Sequence, residues 1–206
     1  HLRELLPALP SGVGAGPSGL RYEHLRAVCD GAGGLEALVE LGPRIAAGEW
    51  SEGMSAARLT ALLKGADESH GYRPVASGEV LRRVVGKAML KAIQSTVESE
   101  FLSAQQLCFS KDGCHVAYGL LRHLLASRPD FIVAATDEHT AFQRVSREAM
   151  KRTMIQKFPD LVPYFHAAYG QPAGLFYAGR QMPAEQSAHG CQQGCAWGTL
   201  CYSAGK

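Results

Sequence analysis

The chain predicts an α+β fold, rich in helix and carrying a small antiparallel sheet. Apolar residues recur at helical spacing over residues 34–47, 78–93, 116–125 and 141–157. Two short runs, Leu62-Leu63-Lys64 and Tyr72-Arg73-Pro74-Val75, flank a polar, Gly-bounded connection and predict a hairpin. A third run, Phe131-Ile132-Val133, is β-rich and leads to an acid, Asp137. No internal repeat or low-complexity linker interrupts these patterns.

A chain of 206 residues suits one large or two small domains and can bury a sizeable core. With 46% hydrophobic residues and no apolar run approaching about 18 residues, it predicts a soluble globular protein with no membrane span. The opening HLRELLPALPSG lacks the apolar core of a secretory signal, so the expected location is intracellular, nuclear or cytoplasmic. A net charge of +2 does not by itself imply a nucleic-acid partner; the cations would have to be locally clustered. Six cysteines (Cys29, Cys108, Cys114, Cys191, Cys195, Cys201) show no Cys-x-x-Cys pair, which points to reduced thiols. His189, Cys191 and Cys195 are irregularly spaced, and the expectation is a loop lining rather than a zinc site.

In chain order, Leu2, Leu5 and Leu6 begin a stripe that Pro7 and Pro10 break, and a Gly/Pro/Ser loop follows to Gly19. Ser18 is placed to cap a helix through Leu25. On the hairpin, Lys64 and Arg73 stand on opposite arms. The helix over 78–93 has an apolar face of Leu81, Val84, Val85, Ala88 and Met89. Arg83, Lys87 and Lys91 form a basic row every fourth residue, either a track for phosphates or simply a solvated face. The 116–125 helix is expected to pack behind a buried strand at 131–133. Asp137 ends that strand, as a turn residue or as a catalytic group at a strand end. From Ala141 the spacing turns helical, with Phe142, Val145 and Ala149 on one face. Pro159 and Pro163 punctuate a short helix through Tyr169, residues 174–180 read as strand and turn, and residues 196–206 as a closing helix. Between them lies a polar, Gly-punctuated loop from His189. Gly194 and Gly198 permit close backbone approach there, and Gln193 offers donors and an acceptor, so the loop can lie under a flat ligand.

The order strand, Asp137-x-x-x-Ala141-Phe142, then Gln193-Gly194-x-x-x-Gly198, resembles the reverse transcriptases, RNA-directed DNA polymerases of the non-retroviral kind carried by mobile elements such as retrotransposons. Asp137 to Phe142 resembles their first palm motif, and residues 193–200 their Gln-Gly loop. The string from Arg73-Pro74-Val75 to Arg82-Arg83-Val84-Val85-Gly86-Lys87 is similar to their fingers, and Gly16-Pro17-Ser18-Gly19 to a segment just before it. Gln105-Gln106-Leu107 and Lys111-Asp112-Gly113-Cys114 continue the likeness.

This resemblance implies a right-hand polymerase fingers and partial palm: an N-terminal helical segment over 1–60, a fingers-like region over 61–130 and a partial palm over 131–206. It implies nucleotidyl transfer, the attack of a primer 3′-hydroxyl on the α-phosphate of a deoxynucleoside triphosphate with two Mg²⁺ ions. By the same likeness Asp137 is the catalytic metal ligand, assisted by the backbone carbonyl of Glu138, and Phe142 stacks on the sugar and rejects a 2′-hydroxyl. Gln193 and Gly194 flank the incoming nucleotide, while Lys64 and Arg73 hold its triphosphate. Arg83, Lys87 and Lys91 would meet an RNA or DNA template with its primer.

Departures qualify the likeness. The family's Tyr-x-Asp-Asp motif and thumb are not reached by Lys206, Gln143 stands where the family has Asn, and residues 195–199 differ from its usual continuation. The expectation is a fragment inactive alone, which robust Asp137-dependent primer extension by this chain would refute. The alternatives are a degenerate non-catalytic relative that binds RNA or a partner, and a structural protein that keeps only the fold. No Gly-x-Ser-x-Gly elbow, Walker loop or His-Glu-x-x-His motif suggests another enzyme class.

Overall fold

The computed structural model describes residues 1–206, the side chains of Glu52 and Ala184 excepted. Helix and sheet are mixed, in the order α1 (Leu2–Leu5), α2 (Tyr22–Asp30), α3 (Gly34–Ala46), β1 (Ala57–Leu63), β2 (Tyr72–Gly78), α4 (Val80–Ala92), α5 (Gln94–Ser103), α6 (Gly113–Ser127), α7 (Ala141–Arg144), α8 (Arg147–Lys157), α9 (Val162–Tyr169), β3 (Ala173–Tyr177), β4 (Arg180–Ser187) and α10 (Gly198–Ala204). The contacts divide the chain into two units, His1–Ala92 with Phe142–Lys206, and Ile93–Ala141.

In the first unit the broken leucine stripe supplies a core. Leu6 and Leu9 pack with Tyr22 and Leu25 of α2 and with Val80 and Val84 of α4, each side chain gaining about 1.5–3 kcal/mol from burial. Ser18 does not cap α2, whose first turn begins after Arg21. Instead its backbone N–H and hydroxyl both donate to the Glu79 carboxylate, at 2.8 and 2.6 Å. The opposite side of α4 is held by aromatic donors. Tyr164 Oη donates to the Arg82 carbonyl at 2.7 Å and Trp197 Nε1 to the Gly86 carbonyl at 2.9 Å, with the two rings 4.3 Å apart. A methyl group on Gly86 would stand 2.6 Å from Tyr164 Oη, so glycine is what lets the rings approach.

The sheet runs β2-β1-β3-β4. The expected hairpin forms, with Leu62 opposite Arg73 and Leu63 opposite Tyr72. A second hairpin joins β3 to β4 through Ala178 and Gly179, both at positive φ (50° and 78°), the two-residue turn that suits strand twist. The sheet is not wholly antiparallel as expected. β1 and β3 run parallel, pairing only Ala57 with Leu175 and Arg58 with Phe176, because the long intervening chain provides the crossover that parallel neighbours require. The predicted helix over 141–157 is also two pieces. Ser146 Oγ accepts from the Ala149 N–H at 3.2 Å and starts α8 afresh.

The second unit holds α5, α6 and irregular chain. Phe101 and Phe109 stack with centroids 4.9 Å apart. Helix α6 forms where spacing predicted it, but Leu120, Leu121, Leu124 and Leu125 are exposed rather than packed behind a strand. The expected buried strand at 131–133 is absent: the segment is irregular, and Ile132 is 94% exposed. A strand needs an edge to receive its N–H and C=O groups, and among the described residues none pairs with it. No described helix is long and apolar enough to cross a membrane.

Candidate functional site

The inner face of the sheet in the first unit carries a groove of about 290 Å³. Its apolar floor is Leu59, Pro74, Ala76 and Leu175; one wall is the end of β4, and the other is Gln143 with Gln192 and Gln193. The Gln-containing loop is fastened by two backbone hydrogen bonds. The Cys191 N–H donates to the Phe142 carbonyl at 2.7 Å, and the Gly194 N–H to the Ala76 carbonyl at 3.2 Å. Gly190 sits at φ 58°, and a Cβ there would lie 2.2 Å from the Phe142 oxygen, so no other residue fits this joint.

Two arginines brace the loop from behind. Arg82 is fully buried; its guanidinium donates to the Gln192 side-chain oxygen and, at 3.0 Å, to the Ser55 carbonyl. Gln192 is therefore locked, its own amide donating to Ser55 O at 3.3 Å, while Gln193 is exposed at the groove. Arg147 donates to Gly190 O (2.9 Å), Ser187 O (2.8 Å) and Tyr169 O (3.2 Å), and its charge lies 5.1 Å from the Tyr169 ring centroid. Burial pulls its pKa below the ordinary guanidinium value. Four glutamine amides line the groove together with Ser187, His189 and Cys191, and the Gln143 side-chain oxygen is buried without a hydrogen-bond partner among the described residues. Such an arrangement suits a flat group that can donate a hydrogen bond and lie on apolar floor. The Cys191 thiol is unsuited to nucleophilic work: burial, reinforced by neighbouring Cys195, pushes it up to about 12.

Of the residues singled out from sequence, Gln193, Gly194 and the Phe142 backbone come together. The Phe142 ring does not look into the groove; it packs on Tyr202 at 5.2 Å, and the next residue, Gln143, takes its place. Lys64 and Arg73 share a hairpin face, but strand alternation puts them opposite Leu59 and Ala76, outside the groove lining. The expected basic row is corrected. Arg83 is only 7% exposed, donating to Gly14 O at 2.6 Å and lying over Tyr22. Lys91 pairs with Glu4 at 3.0 Å, leaving Lys87 as the exposed member without a carboxylate among the described residues. The N-terminal segment covers this helix face, which periodicity within 78–93 alone does not reveal. Asp137 and Glu138 belong to the second unit, exposed in irregular chain rather than at a strand end. Among the described residues no three His, Cys, Asp or Glu side chains gather as a metal site.

The sequence patterns assign no site role to Arg82, Gln192, Gln143 or Arg147. A signal existed for Arg82: residues 78, 82, 85, 86 and 89 form one helical stripe, apolar or glycine apart from this arginine. No protein-family model matches the chain, and no curated protein shows a significant match.

Proposed function

We propose that the chain is the fingers and part of the palm of a reverse transcriptase, with the groove between Gln143 and Gln193 receiving the base and sugar of a deoxynucleoside triphosphate. The supporting observation is the Cys191-to-Phe142 hydrogen bond, which brings the end of the Asp-x-x-x-Ala-Phe segment against the Gln-Gly loop. Phe142, the last residue of the first motif-like stretch, is thus tied to the second, and its neighbour Gln143 lines the groove. In this proposal Asp137, assisted by the Glu138 carbonyl, is a ligand for Mg²⁺. Lys64 and Arg73 meet the triphosphate only if the hairpin changes its pose. Arg83 and Lys91 are withdrawn from template binding, and Lys87 is retained.

Titration of the chain with a deoxynucleoside triphosphate in Mg²⁺ tests this directly. Binding weakened at least about tenfold by Gln193→Ala is the expected result; binding indifferent to Gln193→Ala and Gly190→Ala would sink it. The exposed, irregular chain around Asp137 favours a second reading, a non-catalytic relative that binds RNA. That reading requires salt-sensitive RNA binding unaffected by Asp137→Ala and no nucleotide binding at all.

A further inference from the structure

Leu175 faces the groove, and its neighbour Phe176 faces the other side of the sheet, into a second cavity of about 450 Å³. Pro17, Leu20, Met54, Leu81 and Phe176 make its walls apolar, and Glu79 is the single charged residue lining it. Both Glu79 oxygens accept from Ser18, one from the N–H and one from the hydroxyl. A carboxylate can accept about four hydrogen bonds, so capacity remains on each oxygen. Among the described residues no cation pairs with Glu79. Arg58 lines an adjoining cavity, reached past Pro17 and Phe176, and not this one.

Fastening the Ser18 loop requires only two acceptors. It leaves a carboxylate with no cationic partner among the described residues at the edge of an apolar chamber, and a pocket of this size with few convergent polar groups is the usual form of a small-ligand site. We propose that this cavity binds an amphipathic organic cation, an ammonium or guanidinium carried on a methylene stem. The charged head meets Glu79, the stem lies along Leu20, Met54 and Leu81, and the Phe176 ring offers its face to the cation. A free polyamine and the Lys or Arg side chain of a partner protein share this chemistry. The site is independent of the nucleotide groove.

Calorimetric titration of the full chain with spermidine, with N-acetyl-arginine amide and with the neutral N-acetyl-norleucine amide tests the proposal. At least one cationic probe binds, and the neutral probe does not. Glu79→Gln keeps one amide oxygen to accept from the Ser18 N–H and gains an NH₂ that can donate to the Ser18 hydroxyl, so it retains the fold while weakening cation binding at least about tenfold; Phe176→Leu, which keeps the wall apolar, weakens the guanidinium probe as a second line of evidence should Glu79→Gln fold poorly. Binding of spermidine alone assigns the site to free polyamines, and binding of the arginine probe alone to a protein side chain. Equal affinity for the neutral probe, cation binding unchanged in both variants, or no binding of either cation at millimolar concentration overturns it.

Discussion

Gly86 shows how one absent methyl group sets the packing of several elements. A Cβ there would stand 2.6 Å from Tyr164 Oη and 3.3 Å from Trp197 Nε1, the two donors that tie α9 and the Gln-Gly loop to α4. Gly86→Ala is expected to cost about 1–3 kcal/mol, read as a lowered Tm. Gly119→Ala in α6 meets nothing within 4 Å and should instead stabilise by about 0.5–1 kcal/mol. A helix propensity scale ranks both substitutions alike, so sequence alone cannot separate them. The same holds for protons. Cys191 titrates near 9.0 in an open chain and at about 12 when folded. Below the lower value both states keep the proton; above it only the folded state does, and stability falls as pH rises through that window, by up to about 1.4 kcal/mol per unit. Tyr164, Tyr169 and Cys201, raised mainly by burial, act in the same direction. On the alkaline side, a Tm that declines beyond about pH 9 is the expected profile.

At the level of elements, α3, α4 and α6 and the hairpin were legible because each announces itself by local periodicity or turn chemistry. The strand expected at 131–133 was not settled by its apolar residues, since a strand depends on a neighbour that local sequence does not contain. The polar loop was legible from its glycines, whereas its supports, Arg82 and Arg147, act through carbonyls from distant segments. Gly190→Ala should dislodge that loop: positive φ and collision with the Phe142 carbonyl together cost at least about 1–3 kcal/mol, with faster proteolysis near residue 190 as the readout. Helix α6 gives the opposite expectation. Leu120 is 62% exposed, so Leu120→Glu should leave the unfolding free energy within about 0.5 kcal/mol of the parent, whereas a hidden packing role would produce a far larger loss.

For the whole molecule, the first unit is assembled from two stretches of chain with residues 93–141 lying between them in sequence. That arrangement lets β1 lie beside β3 and so places the Gln-Gly loop against the hairpin. Mixed helix and sheet was foreseeable from alternating periodicities; the parallel central pair was not, because nothing in either strand names its partner. The pairing also dictates an order of events on the ribosome. The first hairpin emerges early, yet its inner edge stays unmatched until Phe176 has been synthesised and leaves the exit tunnel. During that delay a nascent strand edge is open to the wrong neighbour. Yield from recombinant cells should therefore rise when translation is cooled or holdase chaperones are co-expressed, and a circular permutant that makes β3 and β4 immediately before β1 should be less dependent on either.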